Sequence, residues 1–276
     1  ASGEALYMVR KDFGRARMES GLKQIVPLES MRDVAGLLRE HGIDLPQKVG
    51  MELDVLPVAL FHRWHKILGG GEACDVSPLI RTVKSIKSDY EITIMKDCSL
   101  LMDKIYQRAK EIIQVGKTDL EVAAELEFLA RKEGHQGITR FRGFNSELFY
   151  GSVFSGADGA VPTYLDAPLG GLGLNPSIAQ GASYKKIAAN EPIIVDFIAA
   201  FDGYMVDMTR TFVVGKLPDK LEKAYNDMRL IQQKLADIAR PGIAWGEVYQ
   251  QCYDLAVSLG YKDHFMGNAG AQVSFI

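Results

Sequence analysis

Residues 193–212 read IIVDFIAAFDGYMVDMTRTF, two strand-like runs meeting at Asp202-Gly203. Val, Ile, Phe and Thr suit strands, and Asp-Gly between alternating hydrophobic runs signals a hairpin with a type I′ turn. A two-residue loop pairs Phe201 with Tyr204, hence Ile198 with Asp207 and Asp196 with Thr209. Side chains alternate along a strand, so Asp196 and Asp207 fall on one face as diagonal neighbours, and a one-residue slip would separate them. The other face carries Val195, Phe197, Ala199, Val206 and Met208, a set expected to be buried.

Two carboxylates held close on a half-buried sheet repel, and one takes a proton unless a cation sits between them. Carboxylate-rich sites suit divalent ions such as Mn²⁺, Co²⁺ or Zn²⁺, and a bridged pair of ions generates hydroxide and polarises a carbonyl. Metal-assisted hydrolysis is therefore the reaction class this hairpin suggests. The plainer alternative makes Asp196 a solvated strand acid and pairs Asp207 with Arg210 or Lys216. From two acids alone these readings stand level.

Upstream, Ser88 with Glu91 and Thr118 with Glu121 have capping-box spacing, each opening a helix. In the first helix Met95, Cys98, Met102, Ile105, Ala109 and Ile112 form one apolar stripe; Gly116 stops it, and Gly134 ends the second. Strands and Gly-rich turns follow from Ile138 to Val214. The pattern then recurs: an offset of 126 residues superposes Met228, Ile231, Ile238, Gly242, Glu247, Val248 and Gly260 on Met102, Ile105, Ile112, Gly116, Glu121, Val122 and Gly134. This is an internal duplication of a helix, helix, sheet unit. Its second sheet would need residues past Ile276, so the duplicate is expected to be incomplete.

Ahead of residue 84 the chain alternates short strands with helical patterns. Residues 5–9, 22–26 and the alternation Val49, Met51, Leu53, Val55 read as strands, and a helix runs from Ser30 to a stop at Gly42. This predicts a small α/β domain over 1–84 and a second domain over 85–276.

With 32 basic and 35 acidic residues the net charge is −3, which excludes a nucleic-acid binder held by bulk charge. The apolar runs are too short to span a membrane. Three cysteines (Cys74, Cys98, Cys252) supply neither a disulfide framework nor a zinc cage, so a reducing, cytoplasmic setting is expected. The first residues, Ala1-Ser2-Gly3-Glu4, look processed or cut.

Asp196, then Gly203-Tyr204, then Asp207-Met208-Thr209-Arg210-Thr211-Phe212 resembles the metal hairpin of the pita-bread metallopeptidases, the family of Xaa-Pro aminopeptidase, prolidase and methionine aminopeptidase. The segments from Ser155-Gly156 to Tyr164 and Ile86-Lys87-Ser88-Asp89-Tyr90-Glu91-Ile92 resemble its Xaa-Pro branch, and the N-terminal domain resembles that of creatinase and prolidase. The resemblance implies an α+β, pita-bread catalytic domain, incomplete here, behind a creatinase-like α/β domain. It implies two divalent metal ions with Asp196 and Asp207 as ligands, Asp207 bridging. Thr209 would support the site by a hydrogen bond, and Arg210 would balance its charge. It also implies a short peptide substrate, release of the residue before proline, a manganese, cobalt or zinc cofactor and a homodimer.

Two departures stand out. The family completes its site with one His and two Glu ligands, the His expected just beyond Ile276; His41, His62, His65, His135 and His264 do not fit that role. At Val161-Pro162-Thr163-Tyr164 these peptidases commonly carry a His where this chain has Thr163, whose hydroxyl hydrogen-bonds but is no general acid near neutral pH. Thr163 opens an alternative on the same scaffold, a creatinase-like non-peptide hydrolase or lyase; a third reading, implied by relatives that use the scaffold without catalysis, is a non-catalytic binding or interaction protein.

Weaker signals have plainer explanations. His62 and His65 are three apart on a helix, a possible metal pair but more simply a polar surface or subunit contact. Gly170-Gly171-Leu172-Gly173 and Gly116-Lys117-Thr118 lack the glycines of nucleotide-binding loops. Residues 151–181 are expected to form a long loop over the sheet, and Cys98 and Cys252 to be inert packing.

Overall fold

A computed structural model describes Gly3 and residues 5–142, 147–163 and 170–265. It divides into two compact units, one running to Ile86 and taking in Arg142, the other holding Lys87–Phe141 and the described residues from 147 onward.

The first unit runs β1 (Leu6–Val9), α1 (Phe13–Glu19), β2 (Gln24–Pro27), α2 (Val34–Glu40), β3 (Lys48–Met51), α3 (Val58–Ile67), β4 (Glu72–Asp75) and α4 (Ser77–Ser85). β1 pairs with β2 and β3 with β4, both in parallel, so each pair needs the crossover its helices provide. A short 3₁₀ turn, Met31–Asp33, leads into α2; Ser30 and Asp33 exchange the reciprocal bonds of a capping box, and Gly42 follows the helix at φ 74°. The strand expected to reach Val55 stops at Met51. Asp75 takes the Leu53 N–H and the Glu52 carbonyl accepts from Leu56, which turns the chain toward α3.

The second unit runs α5 (Asp89–Ile112), α6 (Asp119–Lys132), β5 (Thr139–Arg140), β6 (Glu147–Leu148), β7 (Gly151–Ser155), β8 (Ile193–Phe201), β9 (Tyr204–Phe212), α7 (Asp219–Ile238) and α8 (Trp245–Ser258). Both expected capping boxes form, with the Ser88 and Thr118 hydroxyls accepting from Glu91 and Glu121 amides. β7, β8 and β9 make an antiparallel sheet in that order, and α5 lies against β8 and β9. The core between them holds Cys98, Met102, Ile105, Tyr106 and Ala109 of α5 with Val195, Phe197 and Ala199 of β8; Val206 and Met208 pack at its margin.

The hairpin turns at Asp202 (φ 48°) and Gly203 (φ 82°), the two positive values a type I′ turn requires. Residues 151–155 correct one expectation: they form β7 rather than the start of a loop, because Gly151 lets the strand close on β8. A Cβ at Gly151 would stand 2.3 Å from the Asp196 carbonyl oxygen. This close approach occurs beside one of the two hairpin acids.

The duplication is visible in backbone bonds. α8 begins and ends 126 residues after α6. The bond from Ile113 N–H to the Ala109 carbonyl recurs from Ala239 to Leu235, and that from His135 to Ala130 recurs from Tyr261 to Ala256. The four matched glycines share a left-handed backbone, Gly116 and Gly242 at φ 92° and 94°, Gly134 and Gly260 at 104° and 92°. Such positions are cheap for glycine alone, which is why the repeat keeps it there. α7 and α8 pack on each other through Ile231, Cys252 and Ala256. Among the described residues no helix is long and apolar enough to cross a membrane.

Candidate metal centre

The register sets Asp196 opposite Thr209 and Ile198 opposite Asp207, as the turn chemistry requires. Asp196 is half-buried, and its Oδ1 accepts a hydrogen bond from Thr209 Oγ1 at 2.6 Å. On its other side β7 places Ser152 opposite Asp196, so Ser152, Asp196 and Thr209 stand in one row across the sheet. Asp207 lies diagonally from Asp196 on the same face, with surface open to solvent.

Burial raises the Asp196 carboxyl above its ordinary range, while the Thr209 hydrogen bond opposes the shift. Asp207 is pushed up to about 6, first by the protein packed around it and then by the charge of Asp196. The pair is thus two carboxyls whose joint ionisation is resisted, and a cation between them would relieve the conflict. The counter-ions of the plainer alternative are engaged elsewhere. Lys216 pairs with Asp219 at 3.2 Å. Arg210 shares the face of Met208, opposite to that of the acids; its guanidinium lies 5.3 Å from the Tyr106 ring centroid, and Nη1 donates to the Thr209 carbonyl at 2.8 Å. Alternation along β9 therefore places Arg210 under the sheet rather than beside the carboxyls it was expected to balance.

Thr163 follows a 3₁₀ turn, Gly156–Ala160, and its Oγ1 is buried without a hydrogen-bond partner among the described residues. The backbone of Gly170 closes on it, since a Cβ there would come 2.6 Å from the Thr163 amide nitrogen. The structure brings Asp196, Asp207 and Thr209 together; among the described residues no contact links Thr163 to them.

Three of the five histidines, His62, His65 and His135, make other contacts. His135 is buried, with Nε2 against the Ile198 carbonyl at 3.0 Å and Nδ1 accepting from the Gly137 N–H at 2.9 Å, so both ring nitrogens are committed. His65 Nε2 meets the Gly71 carbonyl at 2.8 Å and its ring stacks on Phe61, while His62 packs edge-on against the same Phe61. Those contacts hold a helix to its loop rather than a metal. Cys98 and Cys252 are buried, and burial raises both thiols, as inert packing residues require.

Among the described residues no group of three His, Cys, Asp or Glu side chains stands close enough to hold an ion. The donor set nonetheless fits one part of a carboxylate-rich divalent site: two acids on one face, one oriented by a hydroxyl, in a partly dry setting. Sequence reading overlooked two neighbours of this pair. Ser152 lay in the supposed loop, and Tyr106, buried on α5, donates its hydroxyl to the Met208 carbonyl. The hydroxyl of an aromatic in an apolar helical stripe was the available signal for Tyr106, because buried tyrosines seek a partner.

Comparison with known proteins gives two family matches: metallopeptidase family M24 over residues 93–274, and the creatinase/prolidase N-terminal domain over residues 1–86. A curated Xaa-Pro dipeptidase from Pyrococcus horikoshii is 26% identical over 269 residues, covering 97% of this chain and 67% of the relative. Among solved structures, an Xaa-Pro dipeptidase from Bacillus anthracis superposes with a TM-score of 0.80 at 26% identity, covering 97% of this chain and 68% of that one. The X-Pro aminopeptidase of Thermotoga maritima shares the fold, with a TM-score of 0.77 at 19% identity over 95% and 68% of the two chains. The chain thus spans about two thirds of the length of the proteins it matches.

Proposed function

This chain belongs to metallopeptidase family M24, and from that membership we propose that its protein releases the N-terminal residue of short peptides whose second residue is proline. The fold is the pita-bread fold behind a creatinase/prolidase N-terminal domain, and the family's peptidases use divalent metals. The Asp196 and Asp207 pair carries the reading: two acids that resist joint ionisation are set on one face by the hairpin. In this proposal Asp196 and Asp207 would hold divalent metal, and Thr209 orients Asp196 through its 2.6 Å hydrogen bond. When bound, the ions supply Lewis-acid chemistry at the peptide carbonyl. Manganese is the first metal to test. A cytoplasmic setting is supported by three unpaired cysteines, and the homodimer rests on the resemblance.

The experiment loads the full-length protein with Mn²⁺ and follows alanine release from Ala-Pro, Ala-Pro-Ala and Ala-Ala-Ala. We expect Ala-Pro-Ala to be cleaved and Ala-Ala-Ala spared, with turnover reduced roughly 100-fold or more in Asp207→Asn. Cleavage of Ala-Pro alone would make the enzyme a dipeptidase. Thr163, where these peptidases commonly carry a histidine, supports a second reading in which the substrate is not a peptide; among the described residues its buried hydroxyl has no partner. Turnover of small amides or guanidino compounds, with all three peptides untouched, would select it.

A further inference from the structure

On the face of the sheet opposite the two aspartates, two side chains bond to the backbone of β9. Met208 and Thr209 follow Asp207 directly, and each carbonyl is held by a side chain beneath. The Tyr106 hydroxyl, from α5, donates to the Met208 carbonyl. Arg210 Nη1 donates to the Thr209 carbonyl at 2.8 Å, and its guanidinium covers the Tyr106 ring at 5.3 Å from the centroid. Phe212, next on that face, stacks against the same ring with centroids 6.4 Å apart. Tyr106 is 7% exposed, so its ring is fixed by packing before it reaches the strand.

Among the described residues the ladder on β9 is the one with β8. The bond at Met208 restrains the Met208–Thr209 peptide, one residue beyond Asp207 and directly before Thr209. Holding Thr209 matters for Asp196, whose Oδ1 takes its hydrogen bond from the Thr209 hydroxyl. A tyrosine hydroxyl is protonated near neutral pH and is therefore a donor here.

We propose that Tyr106 and Arg210 form a clamp under the hairpin that orients Asp207 and, through Thr209, Asp196 for metal binding. Both are positioning residues, acting through backbone carbonyls, and neither touches metal or substrate. The inference rests on the reading of the pair as metal ligands, so its test must separate the two. In the full-length, metal-stripped protein, Mn²⁺ affinity is measured by titration calorimetry for wild type, Tyr106→Phe, Arg210→Met and Asp207→Asn. Melting temperatures are recorded beside it, and kcat and KM with the best peptide substrate.

Tyr106→Phe keeps the ring and removes only the hydroxyl. It is expected to weaken Mn²⁺ binding about 10-fold and to lower kcat while KM stays within about twofold. Arg210→Met is expected to move affinity in the same direction by about threefold, a fraction of that loss, and decides the question alone if Tyr106→Phe does not fold. Loss of thermal stability in both variants with Mn²⁺ affinity within about twofold of wild type, while Asp207→Asn no longer binds, would reduce the clamp to packing and overturn the proposal. Unchanged Mn²⁺ binding in Asp207→Asn would remove the metal reading itself, and the clamp's role with it.

Discussion

Asp207 shows how a proposed metal ligand sits against the stability of its own fold. Its carboxyl is raised from the usual 3.8 to about 6, so the folded protein holds that proton more tightly than the unfolded chain does. The stability this gives is fully present below pH 3.8 and is lost as pH rises through about 6. Above that, without metal, the ionised pair opposes folding. Because Asp207 is exposed, water screens much of the repulsion, and the effect should be on the order of 1 kcal/mol rather than the full value of the shift. We expect the metal-stripped Asp207→Asn variant to melt higher than metal-stripped wild type at pH 7.5, with the gap closing at pH 4. Thermal scans across that range check it, and a variant that melts lower at pH 7.5 would show that Asp207 is held by a favourable partner. Arg210 shows a second residue-scale rule. Its charge is set by its type, but the face it serves is set by strand parity, and parity sends it to Tyr106.

Elements differ in how completely each copy of the duplicated unit keeps its local signals. α6 opens with Thr118 as its cap and Glu121 reaching back, whereas α8 opens with Ala244, which has no side-chain oxygen, although Glu247 stands at the equivalent third position. Ala244 already has the extended backbone of a cap, with φ −72° and ψ 134°. Ala244→Thr should therefore complete a capping box and stabilise the chain by about 0.5–1 kcal/mol. Urea denaturation gives the comparison, and an unchanged midpoint would mean that the α8 amides are satisfied by other groups. At this scale the sequence was most readable. Caps, stops and apolar stripes are made by residues within four positions of one another, and the helices begin and end close to where those residues indicate. The strand at Gly151–Ser155 was less readable, because its glycine looks like a turn until β8 closes on it.

For the molecule as a whole, the two helix pairs have unequal support. α5 and α6 share a large core with the sheet, from Cys98 through Ala130 to Phe197 and Ala199. Among the described residues, α7 and α8 share a smaller cluster around Ile231, Cys252 and Ala256. Amide exchange in native buffer should accordingly proceed earlier in α7 and α8 than in α5 and α6 of this 276-residue chain. Mass spectrometry of exchanged fragments would show it, and equal protection would mean that the second pair is covered as well as the first.

The sequence by itself determined the hairpin, its register and the pairing of Asp196 with Asp207 on one face. A two-residue turn and a period of two leave no freedom once Asp202-Gly203 is recognised. It also determined the repeat, because glycines at left-handed positions cannot be replaced cheaply. Only the tertiary structure decided which residues stand behind the pair. Tyr106 reaches Met208 across 102 positions and Ser152 faces Asp196 from the neighbouring strand, pairings whose partners no local pattern in the chain names. Turn chemistry acts between neighbours and can be read in order; support for a site comes from whatever the folded core brings beneath it.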